Sequence, residues 1–154
     1  MVHAWAGCQA SILTRASAQT ESTERRGARR SLRILVIDDL AEARELYCAY
    51  LEFLGFRTDA AEDGAEGIAK ARAAPPDAIV LDYSMPQMDG AQVLALLNAD
   101  EQTRSIPVVM LTAAPALVGS KARALCSAFL EKPCEPDRLA AAIVLLMRAR
   151  KQTH

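Results

Sequence analysis

Four short apolar runs in this chain each end in a polar residue that the run itself does not need. Arg33 to Ile37 leads into Asp38-Asp39, Ala78 to Leu81 into Asp82, Pro107 to Leu111 into Thr112, and Ala128 to Glu131 into Lys132-Pro133. The first run is continuously apolar after Arg33, as a strand covered on both faces would be. In a parallel α/β sheet, ligands bind in the crevice beyond the carboxyl ends of the strands. If these runs are neighbouring parallel strands, three carboxylates, a hydroxyl and an ammonium meet in one crevice. That set suits a divalent metal and a phosphoryl group.

The segments between the runs have helical spacing. Residues 41–54 place Leu46, Tyr47, Tyr50, Leu51 and Leu54 on one stripe, and Gly55 supplies the stop. A short strand is expected at 57–61 and a helix at 64–74, ended by Pro75-Pro76. Strand 77–81, helix 91–98, strand 107–111, a helix near 115–126, strand 128–131 and a helix near 136–150 follow. Such alternation predicts an α/β fold, a parallel sheet with helices on both faces. Right-handed crossovers then set all strand C-termini on one edge.

The sequence has 154 residues, enough for one domain. Residues 1–31 lack an apolar period and read as a disordered leader, with the domain at 32–150 and a short tail at 151–154. The leader carries Arg15, Arg25, Arg26, Arg29 and Arg30 against Glu21 and Glu24, so the remainder of the chain is acidic. That balance argues against direct nucleic-acid binding by the domain. The arginine cluster at 25–30 has a functional alternative, contact with nucleic acid or an acidic partner, and a solvated tail or a start codon placed too far upstream also fits. Cys8, Cys48, Cys126 and Cys134 show neither CxxC spacing nor clustering with His3 or His154, and read as reduced thiols of a cytoplasmic protein. No apolar stretch reaches the ~18 residues of a membrane span, and no secretory signal is present.

A cap or turn role accounts for one aspartate such as Asp82. It does not account for Asp38 and Asp39 at the equivalent place on another strand. Three carboxylates within ~4–6 Å repel by several kcal/mol at an effective dielectric near 20, which calls for a cation among them. Oxygen donors without His or Cys point to Mg²⁺, or Mn²⁺, rather than zinc. Mg²⁺ keeps few carboxylates and favours phosphate oxygens. Thr112 and Lys132 suit the equatorial oxygens of a transferring phosphoryl group. Asp82 is the candidate nucleophile, since carboxylates form acyl phosphates.

On these residues the chain resembles the receiver domain of bacterial two-component response regulators. The motifs are Ile37-Asp38-Asp39, Leu81-Asp82-Tyr83-Ser84-Met85-Pro86-Gln87-Met88-Asp89-Gly90, Leu111-Thr112-Ala113 and Lys132-Pro133, in order across residues 33–146. The resemblance implies a flavodoxin-like, doubly wound, five-stranded parallel sheet of order 2-1-3-4-5 with five helices. It implies Asp82 as phosphoacceptor, Asp39 as direct metal ligand, Asp38 acting through water, and the backbone carbonyl of Ser84 completing the metal site. Thr112 is then the switch hydroxyl, Lys132 its charged companion, Phe129 the aromatic switch residue, and Lys132-Pro133 a cis peptide. The implied donor is a sensor histidine kinase or histidine phosphotransfer protein, and the implied output is contact with an effector protein. Since only Lys151 to His154 follow residue 150, the expectation is a stand-alone receiver that phosphorylates itself and is not a turnover enzyme.

Several features depart from the family pattern. Thr112 to Lys132 spans 20 positions, shorter than usual, and Leu125-Cys126-Ser127 stands where a glycine commonly ends the fourth helix. A shortened helix or tightened turn is expected. Ser84 and Ala114 offer no acid or amide to orient an attacking water, so the acyl phosphate is expected not to be short-lived. In the last helix, Leu139, Ala142, Ile143, Leu146 and Met147 can share the buried stripe, leaving Ala141, Val144 and Leu145 at its border. Phe53 falls off the stripe of the first helix. Phe53, Val144 and Leu145 are therefore candidate partner-surface residues, on a monomer or weak homodimer. The competing readings are a degenerate receiver that binds partners without phosphorylation and an aspartyl-phosphate hydrolase. The second lacks an acid at position 84. A flavin or nucleotide site lacks its glycine-rich loop after the first strand.

Overall fold

A computed structural model describes residues 30–153. The compact unit that carries every element begins at Leu32. Strands β1 (Arg33–Ile37), β2 (Arg57–Ala61), β3 (Ala78–Asp82), β4 (Val108–Thr112) and β5 (Ala128–Glu131) alternate with helices α1 (Ala41–Phe53), α2 (Gly64–Ala73), α3 (Gly90–Ala99), α4 (Ser120–Leu125) and α5 (Pro136–Gln152). The sheet is parallel with order β2-β1-β3-β4-β5, the flavodoxin-like order expected.

Side chains alternate across a strand, and this splits the core into two layers. Leu35, Ile37, Ile79, Leu81, Val108 and Met110 face Ile68 of α2, Val93, Leu94 and Leu97 of α3, and Ala122 of α4. Ile34, Val36, Val80, Val109 and Leu111 face Tyr47 and Leu51 of α1 and Leu139, Ala140, Ile143 and Met147 of α5. β3 and β4 are buried along their whole length, which is why their sequences are apolar up to the closing Asp82 and Thr112.

Details of the elements differ from the sequence reading for local reasons. β3 and β4 run one residue later than expected, so Asp82 and Thr112 are themselves strand residues. Pro107 has no N–H to give a ladder, and its carbonyl instead accepts from Ile79 N–H at 3.0 Å. The helix expected at 115–126 is split. A 3₁₀ turn, Pro115–Leu117, is followed by extended Val118 and Gly119 before the six residues of α4. Val118 is drawn into the core at that break. α5 continues to Gln152, so the first two residues of the expected tail are helix. The buried stripe of α1 is narrower than predicted. Leu46 and Leu54 are exposed, Tyr47 and Leu51 buried. In α5, Ala140 takes the buried place assigned to Ala142 and Leu146, which are only half-buried. The leader, apart from Arg30 and Ser31, lies outside the described residues, with Cys8 and His3, as does His154.

Two glycines are required by geometry. Gly55 (φ +93°) ends α1, with its N–H on Glu52 and that of Phe56 on Leu51, the Schellman pattern. Gly90 lies against the backbone that carries Asp82. A Cβ there would sit 2.7 Å from Tyr83 Cα and 2.8 Å from the Asp82 carbonyl oxygen. Gly90→Ala is expected to cost about 2 kcal/mol, the scale of an overpacked site, read as a lowered urea midpoint. An unchanged midpoint would mean that the loop from Tyr83 to Asp89 yields freely.

Candidate phosphoacceptor site

Asp38 follows β1 and is 2% exposed, while neighbouring Asp39 is exposed. The Asp38 N–H is tied to Ala61 of β2 at 3.2 Å. Its Oδ1 accepts from Leu40 N–H at 2.9 Å, and its carbonyl accepts from Arg44 Nη1 at 2.7 Å. Arg44 therefore fixes the turn that presents both aspartates. Asp82, at the end of β3, is 4% exposed. One carboxylate oxygen from each of Asp38, Asp39 and Asp82 lies within 4.8 Å of the others.

Lys132 closes the nest. Its Nζ sits 2.9 Å from Asp82 Oδ1 and 3.0 Å from Asp38 Oδ2. The Lys132 N–H donates to the Thr112 carbonyl at 2.7 Å, and the Lys132-Pro133 peptide is cis. Thr112 is fully buried, and its hydroxyl accepts from Ala114 N–H at 3.1 Å. Ser84 is exposed in the loop two residues past Asp82. In that loop Gln87 adopts φ 68° and Met88 N–H reaches back to Pro86, a γ-turn. Asp89 is spent on α3, where it forms a capping box with Gln92.

Both oxygens of Asp38 accept hydrogen bonds, from Leu40 and Lys132, while Asp39 and Asp82 each offer an oxygen that could hold a metal. The oxygen-only donor set fits a hard divalent cation. Burial pushes the Asp82 carboxyl up to about 6, with the charges of Asp38 and Asp39 adding to the rise and the Lys132 hydrogen bond opposing it. Burial alone would lower Lys132, but its hydrogen bonds to Asp82 and Asp38 outweigh that and raise it.

This imbalance carries a sign. Asp82 binds its proton more tightly folded than at its ordinary value of 3.8, so folding loses stability as pH rises from about 4 to about 6. Metal-free Asp82→Asn protein is thus expected to exceed the parent by about 2 kcal/mol at neutral pH, with the gap closing below about pH 4. Urea unfolding in a chelator at both pH values measures this. A pH-independent gap would mean that the charge of Asp82 is not what strains the nest.

The other predicted residues lie apart from the nest. Phe129 is half-buried on β5, opposite Met110. Phe53, 84% exposed, closes α1. Leu145 is exposed on α5, and Val144 beside it is half-buried. Sequence reasoning missed Arg44 and Arg123. The Arg123 guanidinium lies 4.7 Å from the Phe129 ring centroid. Arg44 had a weak signal, a basic residue one turn into a helix that lacks a capping side chain. Arg123 had none. A cavity of about 360 Å³ lined by Leu32, Asp77, Met147, Arg150 and Lys151 lies at the opposite edge of the sheet.

The response regulator receiver domain family matches residues 34–144. The chain is 39% identical over 119 residues to the phosphate regulon transcriptional regulatory protein PhoB of Klebsiella pneumoniae, covering 75% of this chain and 52% of PhoB. It is 38% identical over 123 residues to response regulator Rre1 of Synechocystis sp., covering 77% and 52%. The chain thus spans about half the length of these curated relatives. Among solved structures, chemotaxis protein CheY4 of Vibrio cholerae superposes with TM-score 0.68 at 26% identity, covering 75% of this chain and 98% of that one. The receiver domain of a signal transduction histidine kinase from Syntrophus aciditrophicus gives TM-score 0.69 at 28% identity, covering 80% and 96%. A family match across that span, on this sheet and around this acidic nest, makes the chain a member of the response regulator receiver family, whose domains are phosphorylated on aspartate.

Proposed function

We propose that Asp82 accepts a phosphoryl group from a phosphohistidine, on a sensor histidine kinase or histidine phosphotransfer protein, in a Mg²⁺-dependent reaction that Mn²⁺ also supports. The observation that carries this reading is the buried Asp82 carboxylate held between the Lys132 ammonium and the oxygens of Asp38 and Asp39. With its pKa at about 6, Asp82 is ionised at neutral pH and needs no general base. A carboxylate oxygen attacks phosphorus, the P–N bond breaks, and the departing imidazole takes a proton from water. Asp39 and Asp82, the Ser84 carbonyl, and Asp38 through water would hold the metal, which neutralises charge on the phosphoryl oxygens when bound. Lys132 shifts from Asp38 and Asp82 toward the transferred group, and Thr112 turns its hydroxyl there.

The product is an acyl phosphate on the protein itself, so the chain acts as a switch and not as a turnover enzyme. Movement at Thr112 and Phe129 alters a surface read by an effector protein, without nucleic acid or membrane contact. Phe53, Val144 and Leu145 are the surface residues offered to partners. Action as a stand-alone cytoplasmic receiver, monomeric or weakly dimeric, belongs to the same reading. What favours this reading is the likeness of the receiver unit to chemotaxis protein CheY4. Among the described residues, no helix is long and apolar enough to cross a membrane. Incubation with acetyl phosphate and Mg²⁺ is the test. The intact mass should rise by about 80 Da, one PO₃ unit, and not do so in a chelator. No gain with any small donor or beryllofluoride would overturn the reading.

A further inference from the structure

α4 has only six residues, far below the ~12–15 at which a helix stands by itself in water. Contacts beyond the helix must hold it: Ala122 packs into the core layer, and Arg123 reaches the neighbouring turn and strand. Its Nε donates to the Val118 carbonyl at 3.1 Å and its Nη2 to the Pro115 carbonyl. Its guanidinium plane also lies over Phe129, 4.7 Å from the ring centroid. One side chain therefore joins three pieces: the 3₁₀ turn after β4, helix α4, and β5.

The same turn is fastened to the site at two further points. Ala114 N–H donates to Thr112 Oγ1 at 3.1 Å. The Tyr83 hydroxyl, on the residue after Asp82, donates to the Leu117 carbonyl at 3.2 Å. Turning the Thr112 hydroxyl toward a phosphoryl group disturbs Ala114, and Pro115 is the next residue. Pro115 is also the residue whose carbonyl Arg123 holds.

We propose that Arg123 is a positioning residue that clasps the β4–α4 turn to Phe129 in the unphosphorylated state, so that its release couples Thr112 to the ring. This inference rests on Asp82 being the phosphoacceptor. A planar guanidinium is needed because one group must serve two carbonyls and a ring face together; an ammonium offers a point charge without that fork. Removing the clasp favours the released arrangement before any phosphoryl group arrives, and the ligand then binds more tightly because the competent state is more populated.

The test uses the full chain labelled with 3-fluorophenylalanine, whose three phenylalanines give an assignable fluorine spectrum, titrated with beryllofluoride in Mg²⁺. Arg123→Met is expected to bind beryllofluoride about tenfold more tightly than the parent, and Arg123→Lys about threefold. The Phe129 resonance of unliganded Arg123→Met should lie part-way toward the parent's bound position, a movement that mere loss of stability would not produce. If Arg123→Met fails to fold, Arg123→Lys is read alone against the same expectation. Affinity within about twofold of the parent, or weaker than it, overturns the inference. A parent chain that binds no beryllofluoride overturns both this inference and the phosphoacceptor reading; a parent that binds, with variants that match it, overturns this inference alone.

Discussion

Asp82→Asn protein is expected to gain no mass from acetyl phosphate under conditions that shift the parent by about 80 Da. The substitution conserves volume and leaves an oxygen facing Lys132, 2.9 Å away in the parent. What it removes is the ionised oxygen pair, and an amide does not form an acyl phosphate. The loss is therefore complete, whereas substitutions at Thr112 should only slow transfer or break its link to the surface. Stability separates this loss from misfolding, because the Asn variant should be the more stable protein at neutral pH. A variant that folds and still gains the mass would place the phosphoryl group on another side chain.

The largest structural effect is expected at Lys132. Its side chain is 23% exposed, while those of Asp38 and Asp82 are 2% and 5% exposed. Lys132→Met leaves two buried carboxylates facing each other, and breaking such a group by removing one partner costs about 3–5 kcal/mol. At neutral pH this corresponds to a fall of roughly 10 °C or more in melting temperature. The deficit should shrink as pH falls and Asp82 protonates, since its pKa, already raised, rises further without the ammonium. Millimolar Mg²⁺ should restore part of the loss by supplying the missing charge. Equal melting temperatures for parent and variant in a chelator would show that the ammonium does not hold the nest together.

Much of this molecule was legible because its core is made of strands buried on both faces. Ile34 to Ile37, Ile79 to Leu81 and Val108 to Leu111 have no polar alternation to blur them, and the polar residue after each run marks the functional edge. The acidic set, Thr112 and Lys132 followed directly. The segment from Ala113 to Ser127 was harder to read. Its apolar content suggests one helix, but Pro115 sets up a 3₁₀ turn and Val118 enters the core, so tertiary packing decides the break. Exposure of Leu46 and Leu54 was equally hidden, because a helical period shows which residues share a face but not how wide a neighbour's coverage is. Arg123 leaves no trace in the sequence, since its partners are carbonyls and a ring that only the folded turn brings together.

The hydrogen bond between Lys132 and Asp38 joins residues 94 positions apart and reaches across β3 and β4 to link the ends of β5 and β1. Until β5 has been made and has docked, a growing chain carries its aspartates without the Lys132 ammonium that pairs with Asp38 and Asp82. A fragment ending before Ala128 should therefore depend on divalent metal for compactness far more than the finished protein. Synthesis order alone makes the last strand the one that renders the pocket electrostatically tolerable.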